Sequence, residues 1–400
     1  MRQRITLCGG VLALLLSTVG SLGCQGGGDN VRIAVIVPLT GPVGAYGTPI
    51  KQGIELAHQQ HVAASPQGPA VELLVRDSQA DPATAAKLLE DAYSEGAIAA
   101  IGGVTSDEAI AMVKIAEERD RILVSPSASS PALTGMSKNF FRVFPSDFVE
   151  GTKMATFAAG TLDLKDAVIL ATQAPYGRGI QEVFKNEFER HGGKVTEVLE
   201  FPAETTDFSG IVERVTTLKP AAVYVAAYWN DIVGIIKAVR AAGYEGKILT
   251  TAAFATPQAV AAAGEAAEGV FFTQTVFEAG SEAEPSRSFV AAYRGKYGEA
   301  PDLYAAHGFD AMKVVLEALA KGGPTPSDFW KGMRSIRDFV GVTGPLQFDE
   351  KGDVKKFPRV YVIKDGAPVN YEDYVDQIKE AFRRRLQELE QQRERLGPPR

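Results

Sequence analysis

Apolar and polar positions follow a repeating order along this chain. A short run of aliphatic or β-branched residues gives way to a Gly/Pro/Ser-rich break, and then to a stretch with apolar positions at helical spacing. Ile33, Val35, Ile36 and Val37 open the series and predict a strand buried on both faces, as in a parallel sheet. A Gly/Pro/Thr loop runs to Gly47, and a helix is expected to start with Thr48 as N-cap and Pro49 at N1, where a missing N–H costs nothing. The order continues as strand 71–77, helix 81–93, strand 97–101, helix 106–118, strand 121–125, a short helix at Ser130-Pro131 and strand 140–144. It then restarts with helix 148–160, strand 167–172, helix 177–191, strand 194–200, helix 208–218, strand 221–226, helix 230–242 and strands 247–250 and 269–273. Such alternation with short loops predicts two similar doubly wound α/β lobes with parallel sheets, joined near Pro145-Ser146. Helices 286–297, 303–320 and 327–334 follow, then short strands at 345–348 and 358–364. Beyond them, Val375, Ile378, Phe382, Leu386 and Leu389 recur at helical spacing amid charge. Arg385 breaks the heptad, so residues 371–400 are expected to form a solvated amphipathic extension, partly packed on a lobe, rather than a coiled coil.

The first residues depart from this order. Arg2 and Arg4 precede the largely apolar run Ile5–Leu16, and small residues lead to Ser21-Leu22-Gly23-Cys24. The run is shorter than the roughly 20 residues of a membrane span and reads as a signal peptide, residues 1–23. Its end resembles a bacterial lipoprotein signal with Cys24 as the lipidated residue, although Leu22 stands one place late; an ordinary secretory signal cut nearby is the other reading. Residues 24–30 would form a tether. The removed segment holds two arginines and no acid, so the net charge moves from −7 to −9. An acidic chain without a basic stripe argues against nucleic acid as partner. Both cysteines, Cys8 and Cys24, lie at or before the cleavage point, which excludes an intrachain disulfide, a thiolate metal site and a thiol nucleophile from the mature fold.

Catalytic readings find no support. GxSxG, P-loop and GxGxxG motifs are absent, no cofactor is implied, and His58 and His61 at i,i+3 read as exposed polar residues rather than metal ligands. The informative segments are instead three loops that join a strand to a helix in the first lobe: the Tyr46–Pro49 turn, Gly102–Ser106 and Ser125–Pro131. Converging N–H groups and hydroxyls at helix amino-termini suit a carboxylate.

Pro38-Leu-Thr-Gly-Pro42 followed by Ala45-Tyr46-Gly47 resembles the first motif of the periplasmic leucine/isoleucine/valine-binding protein family, the type I solute receptors of ABC importers. The resemblance extends from about Val31 to Val369. It implies a periplasmic binding protein type I fold whose chain crosses between lobes three times, with lobe one at 31–145 plus 276–345 and lobe two at 146–275 plus 346–370. It also implies an extracytoplasmic, lipid-anchored receptor that closes on an amino acid or related small carboxylate and presents it to ABC permease subunits; a ligand sensor for a signalling partner is the alternative. By motif, Ser106 matches the carboxylate-binding serine, beside Thr105, and Ser127, Ala128 and Ser129 match the segment that holds the amino-acid head. Tyr46 would border the ligand, and Tyr176 and Tyr228 match the two ligand-facing tyrosines, one of which could instead be core. Where relatives that bind α-amino acids carry a Glu to pair the ammonium, this chain reads Ala252-Ala253-Phe254. Either another acid serves, with Asp147 and Asp107 the candidates, or the ligand lacks an α-amine; the second is the expectation, with an indispensable carboxylate. His307, at a helix start that resembles a Tyr-rich motif of the family, is placed at the border of the cleft.

Overall fold

The computed structural model describes residues 30–396, apart from Pro42 and residues 67–69. Cys24 and the segment expected to be a signal peptide lie outside the described residues. The first half runs β1 (Val31–Val37), α1 (Gly44–Ala64), β2 (Val71–Asp77), α2 (Pro82–Ser94), β3 (Ala97–Gly102), α3 (Ser106–Glu118), β4 (Ile122–Ser125) and β5 (Phe140–Arg142). These strands form one wholly parallel sheet in the order β2-β1-β3-β4-β5. The series then repeats as α4 (Asp147–Thr156), β6 (Asp166–Thr172), α5 (Pro175–Arg190), β7 (Lys194–Phe201), α6 (Ser209–Leu218), β8 (Ala222–Ala226), α7 (Trp229–Ala241), β9 (Lys247–Thr250), α8 (Pro257–Ala263) and β10 (Phe271–Gln274). Three helices follow, α9 (Ser286–Tyr297), α10 (Leu303–Gly322) and α11 (Pro326–Ser335), then a hairpin of β11 (Phe339–Gly341) and β12 (Gly344–Leu346). The chain ends with β13 (Arg359–Lys364), β14 (Ala367–Asn370) and α12 (Tyr371–Leu396).

The second sheet has the order β14-β13-β10-β9-β8-β6-β7. Strands β10, β9, β8, β6 and β7 are parallel as expected, but β13 runs antiparallel to β10, and a two-residue turn at Asp365-Gly366 folds β14 back antiparallel to β13. The chain passes between the sheets three times, at 143–146, 275–285 and 347–358. Helices cover the sheets, so the central strands are buried; Ile33, Val35, Ile36 and Val37 are inaccessible, as are Val168, Ile169 and Leu170, while the edge strands β2, β7 and β14 are partly exposed.

Two details fix the frame around the cleft. Helices α1 and α10 cross at glycines: a Cβ on Gly53 would stand 2.0 Å from the Ala305 carbonyl oxygen, and one on Gly308 2.2 Å from that of Ile50. Arg142, at the end of β5, is fully buried and donates to Asp353 of the last crossing through Nε and Nη2 (2.7 and 2.9 Å), while its Nη1 donates to the Ser130 carbonyl (2.9 Å). Helix α1 begins one turn before its expected cap. The glycine-rich turn closes at Gly44, Tyr46 N–H already bonds to Val43 O (2.9 Å), and Gly47 packs directly on the Pro38 carbonyl, which leaves Pro49 inside the helix. In α12 only the first turn packs on the body. Tyr371 sits edge-on to Phe157 (4.9 Å) and Phe271 (5.7 Å), whereas Ile378, Phe382, Leu386 and Leu389 remain exposed.

Candidate functional site

The carboxyl ends of both parallel sheets point at one cleft, the place where open α/β folds bind ligands. Lobe one contributes the first turn of α1 with Tyr46, the first residue of α3, Ser106, and the loop after β4 with Ser127 and Ser129. Lobe two contributes Tyr176 in the first turn of α5, Tyr228 as the residue before α7, and Ala252 and Ala253 in the 3-10 turn after β9. These residues line a cavity of about 30 Å³, room for about two waters, and the structure adds Phe144, Glu150 and Tyr304 to its wall.

Three residues expected at the site face elsewhere. Thr105 is the N-cap of α3 in a capping box with Glu108: its hydroxyl accepts from Glu108 N–H (3.2 Å) and its own N–H donates to the Glu108 carboxylate (2.9 Å). Ala128 is buried in the core of lobe one, where its N–H donates to Ser125 Oγ (2.9 Å). Phe254 packs edge-on to Phe272 (5.6 Å) inside lobe two. His307 is likewise core; Nδ1 meets the Leu303 carbonyl (2.7 Å), Lys356 Nζ lies 3.4 Å from Nε2, and burial beside that lysine holds its pKa well below the ordinary value.

The hydroxyls of lobe one are not equivalent. Ser106 Oγ accepts the Ser130 N–H (3.1 Å), so its own proton is available to an acceptor in the cavity. Ser127 Oγ donates to the Val104 carbonyl (2.7 Å) and therefore presents only lone pairs. Four tyrosines form a continuous aromatic wall. Tyr176 stacks on Tyr228 (centroids 5.0 Å apart, 19°), Tyr228 lies 6.3 Å from Tyr46, and Tyr46 lies 4.6 Å from Tyr304. Their hydroxyls are tied down: Tyr176 donates to Thr251 Oγ1 (2.7 Å), Tyr228 to Asp107 Oδ2 (3.4 Å) and Tyr304 to Ala252 O (3.4 Å). Tyr46 latches the lobes together, since its hydroxyl donates to Ala253 O and accepts from Trp229 N–H, both at 2.9 Å.

Of the two acids named from the sequence, neither lines the cavity. Asp107 is half-buried at the rim, and burial raises its pKa. Asp147 is fully buried one helical turn before Glu150; desolvation and the Glu150 charge push its carboxyl well above the usual range, against the Ser129 hydroxyl and Arg142. Glu150 itself was missed. It is 2% exposed, and its Oε1 accepts from Ala252 N–H and Thr273 Oγ1, both at 2.6 Å. Desolvation moves its pKa from the ordinary 4.5 to about 7, with those two hydrogen bonds opposing the shift. The signal for it was in the pattern: Asp147 and Glu150 share the face of α4 that also carries Gly151, Met154 and Ala155, all buried.

Among the described residues no group of acids, cysteines and histidines is arranged to hold a metal, and no helix is long and apolar enough to cross a membrane. Residues 30–364 match the model of a family described as periplasmic binding protein. The chain is 26% identical over 332 residues to the leucine-, isoleucine-, valine-, threonine- and alanine-binding protein of Pseudomonas aeruginosa, covering 82% of this chain and 88% of that one. The crystal structure of the leucine-binding protein LivK of Thermotoga maritima superposes with a TM-score of 0.79 at 32% identity, covering 86% of this chain and 99% of that one. LivJ, the branched-chain amino acid transporter substrate-binding protein of Streptococcus pneumoniae, in complex with isoleucine, gives 0.78 at 26% identity, with coverage of 85% and 98%.

Proposed function

Because the chain belongs to the periplasmic binding protein family, we propose that it is an extracytoplasmic solute receptor of an ABC importer that binds an amino acid of the branched-chain type, or a related small carboxylate, between its lobes. The observation that carries this reading is the convergence of Ser106, Ser127, Ser129, Tyr176 and Tyr228 on one cavity at the carboxyl ends of two parallel sheets. Ser106 and the backbone of the 127–129 loop take the carboxylate, with the amino end of α3 behind them. Tyr176 and Tyr228 close over the ligand from lobe two. With about 30 Å³ inside, admission requires the lobes to part at the three crossings, and closing again draws its free energy from the ligand's preference for the shut form. Lobe one is taken as 31–145 plus 276–345 and lobe two as 146–275 plus 346–370. On this reading the ligand leaves unchanged.

A thermal-shift and calorimetric screen against branched-chain and other small amino acids, and against short carboxylic acids, tests the reading. A ligand at 100 times its Kd should add about 2.7 kcal/mol of stability; failure of every amino acid and carboxylate to bind would sink it. The proposed anchor is lipid on Cys24, and Cys24→Ser should leave the protein unprocessed or released from the membrane. Normal processing and retention of that variant would remove the anchor.

A further inference from the structure

Glu150 and Asp147 are two acids buried at or beside the cavity with no cation to match them. Among the described residues neither takes part in an ion pair, and the nearest guanidinium, Arg142, is committed to Asp353. Asp147, fully buried, has only the Ser129 hydroxyl beside its carboxyl and no cation of its own. Glu150 spends Oε1 on Ala252 and Thr273, which leaves Oε2 for the cavity that the residue lines. Around it stand groups of one kind. Ser127 Oγ offers only lone pairs, and the stacked rings of Tyr176 and Tyr228 line the same cavity, aromatic surface that tolerates a cation. On the opposite side Ser106 offers a free hydroxyl proton. The cavity is therefore polarised, with an anion-binding end at Ser106 and a cation-binding end at Glu150.

We propose that Glu150 is the ammonium-binding residue of this receptor and that its ligand is a zwitterion with a protonated amine, the acid being supplied from α4 instead of from the turn at Ala252 and Ala253. This rests on the solute-receptor reading above. Glu150 Oε1 is bound to the backbone N–H of Ala252, which ties α4 to the 3-10 turn after β9 at the cavity wall. A ligand ammonium at Glu150 reverses the sequence-based expectation that the amine is dispensable. A buried carboxylate with one oxygen unused is costly alone, and a ligand ammonium offsets that cost, whereas a simple carboxylate would set a second anion beside it.

The test is calorimetric titration of the purified protein with L-isoleucine, L-leucine, L-valine and L-alanine and with the 2-oxo acid of each. At least one amino acid should bind, and its 2-oxo acid should bind 100-fold or more weakly. Glu150→Gln, which keeps the shape and the Oε1 acceptor, should weaken the amino acid at least 30-fold while changing the 2-oxo acid less than threefold. A 2-oxo acid that binds within tenfold of the best amino acid overturns the inference even if the variant does not fold, and leaves the receptor reading intact. Amino-acid binding in Glu150→Gln within threefold of the unsubstituted protein overturns it as well. Silence from both ligand classes would instead defeat the receptor reading on which it depends.

Discussion

The two lobes reach the cleft by opposite means. Lobe one offers short hydroxyls and backbone on loops held from behind: Ser125 and Ser127 donate to the Gly103 and Val104 carbonyls of the neighbouring loop, the Ser130 N–H donates to Ser106 Oγ, and Arg142 grips the Ser130 carbonyl. Lobe two offers long side chains, two stacked tyrosines and an acid, on the first turns of α4 and α5 and the residue before α7. A neutral wall of fixed dipoles can stay buried without a ligand at little cost, because its polar groups satisfy one another. A buried carboxylate cannot. Stability is therefore stored on one side of this cleft and held in tension on the other.

Breaking the frame of lobe one should have the largest effect. Asp353→Ala strands the fully buried Arg142, and removing one partner of a buried pair costs roughly 3–5 kcal/mol. Chemical denaturation should show that loss, together with weaker ligand binding as the Ser125–Pro131 loop loosens. A loss under about 1 kcal/mol would mean that the loop is held by other means.

Next comes the tension in lobe two. The folded-state pKa of Glu150 is raised from 4.5 to about 7, so the folded protein holds a proton that the unfolded chain releases between those values. Its contribution to stability is therefore fully present below about pH 4.5 and is lost as pH rises toward 7. Glu150→Gln carries no such titration. Without ligand it should be the more stable form at pH 7.5, by an amount of the order of 3 kcal/mol, with the gap closing near pH 5. Denaturation midpoints of both proteins at the two pH values decide it; a pH-independent gap would show that Glu150 does not titrate in this range.

The smallest effect belongs to a single hydroxyl of the neutral wall. Ser106→Ala should weaken a carboxylate ligand by roughly 1.5–3 kcal/mol, and should cost the ligand-free protein about 1 kcal/mol because the Ser130 N–H loses its acceptor. Unchanged affinity would move the carboxylate away from this residue.

How much of this was written in the chain depends on whether the signal was local. Helix 106–118, strand 247–250 and helix 286–297 fall where the residues placed them, because burial on both faces and capping chemistry act within a few positions. The start of α1 did not, since Thr48-Pro49 is a good cap in isolation and the earlier start depends on Gly47 fitting against Pro38 across the loop. Strands β11 and β14 were too short to register, and the strand expected at 345–348 is the three-residue β12. At the site, residues at strand ends were legible as loops with chemistry. Glu150 was not, because an acid on a buried helix face looks like a register slip until the opposing turn at Ala252 is seen to accept it. Tyr304 was visible only as part of a motif, and Phe144 only as a strand residue.

The latch at Tyr46 has a spectroscopic consequence. The chain has two tryptophans. One, Trp229, gives its backbone N–H to the Tyr46 hydroxyl at the seam between the lobes, so parting them changes the surroundings of its indole. The other, Trp330, lies on α11 with the Arg334 guanidinium 5.4 Å from its ring, on a helix packed against α10 within lobe one. Replacing Trp330 with Phe would leave one intrinsic fluorophore at the seam, and opening and closing could then be followed in real time, in the native chain, without any attached dye.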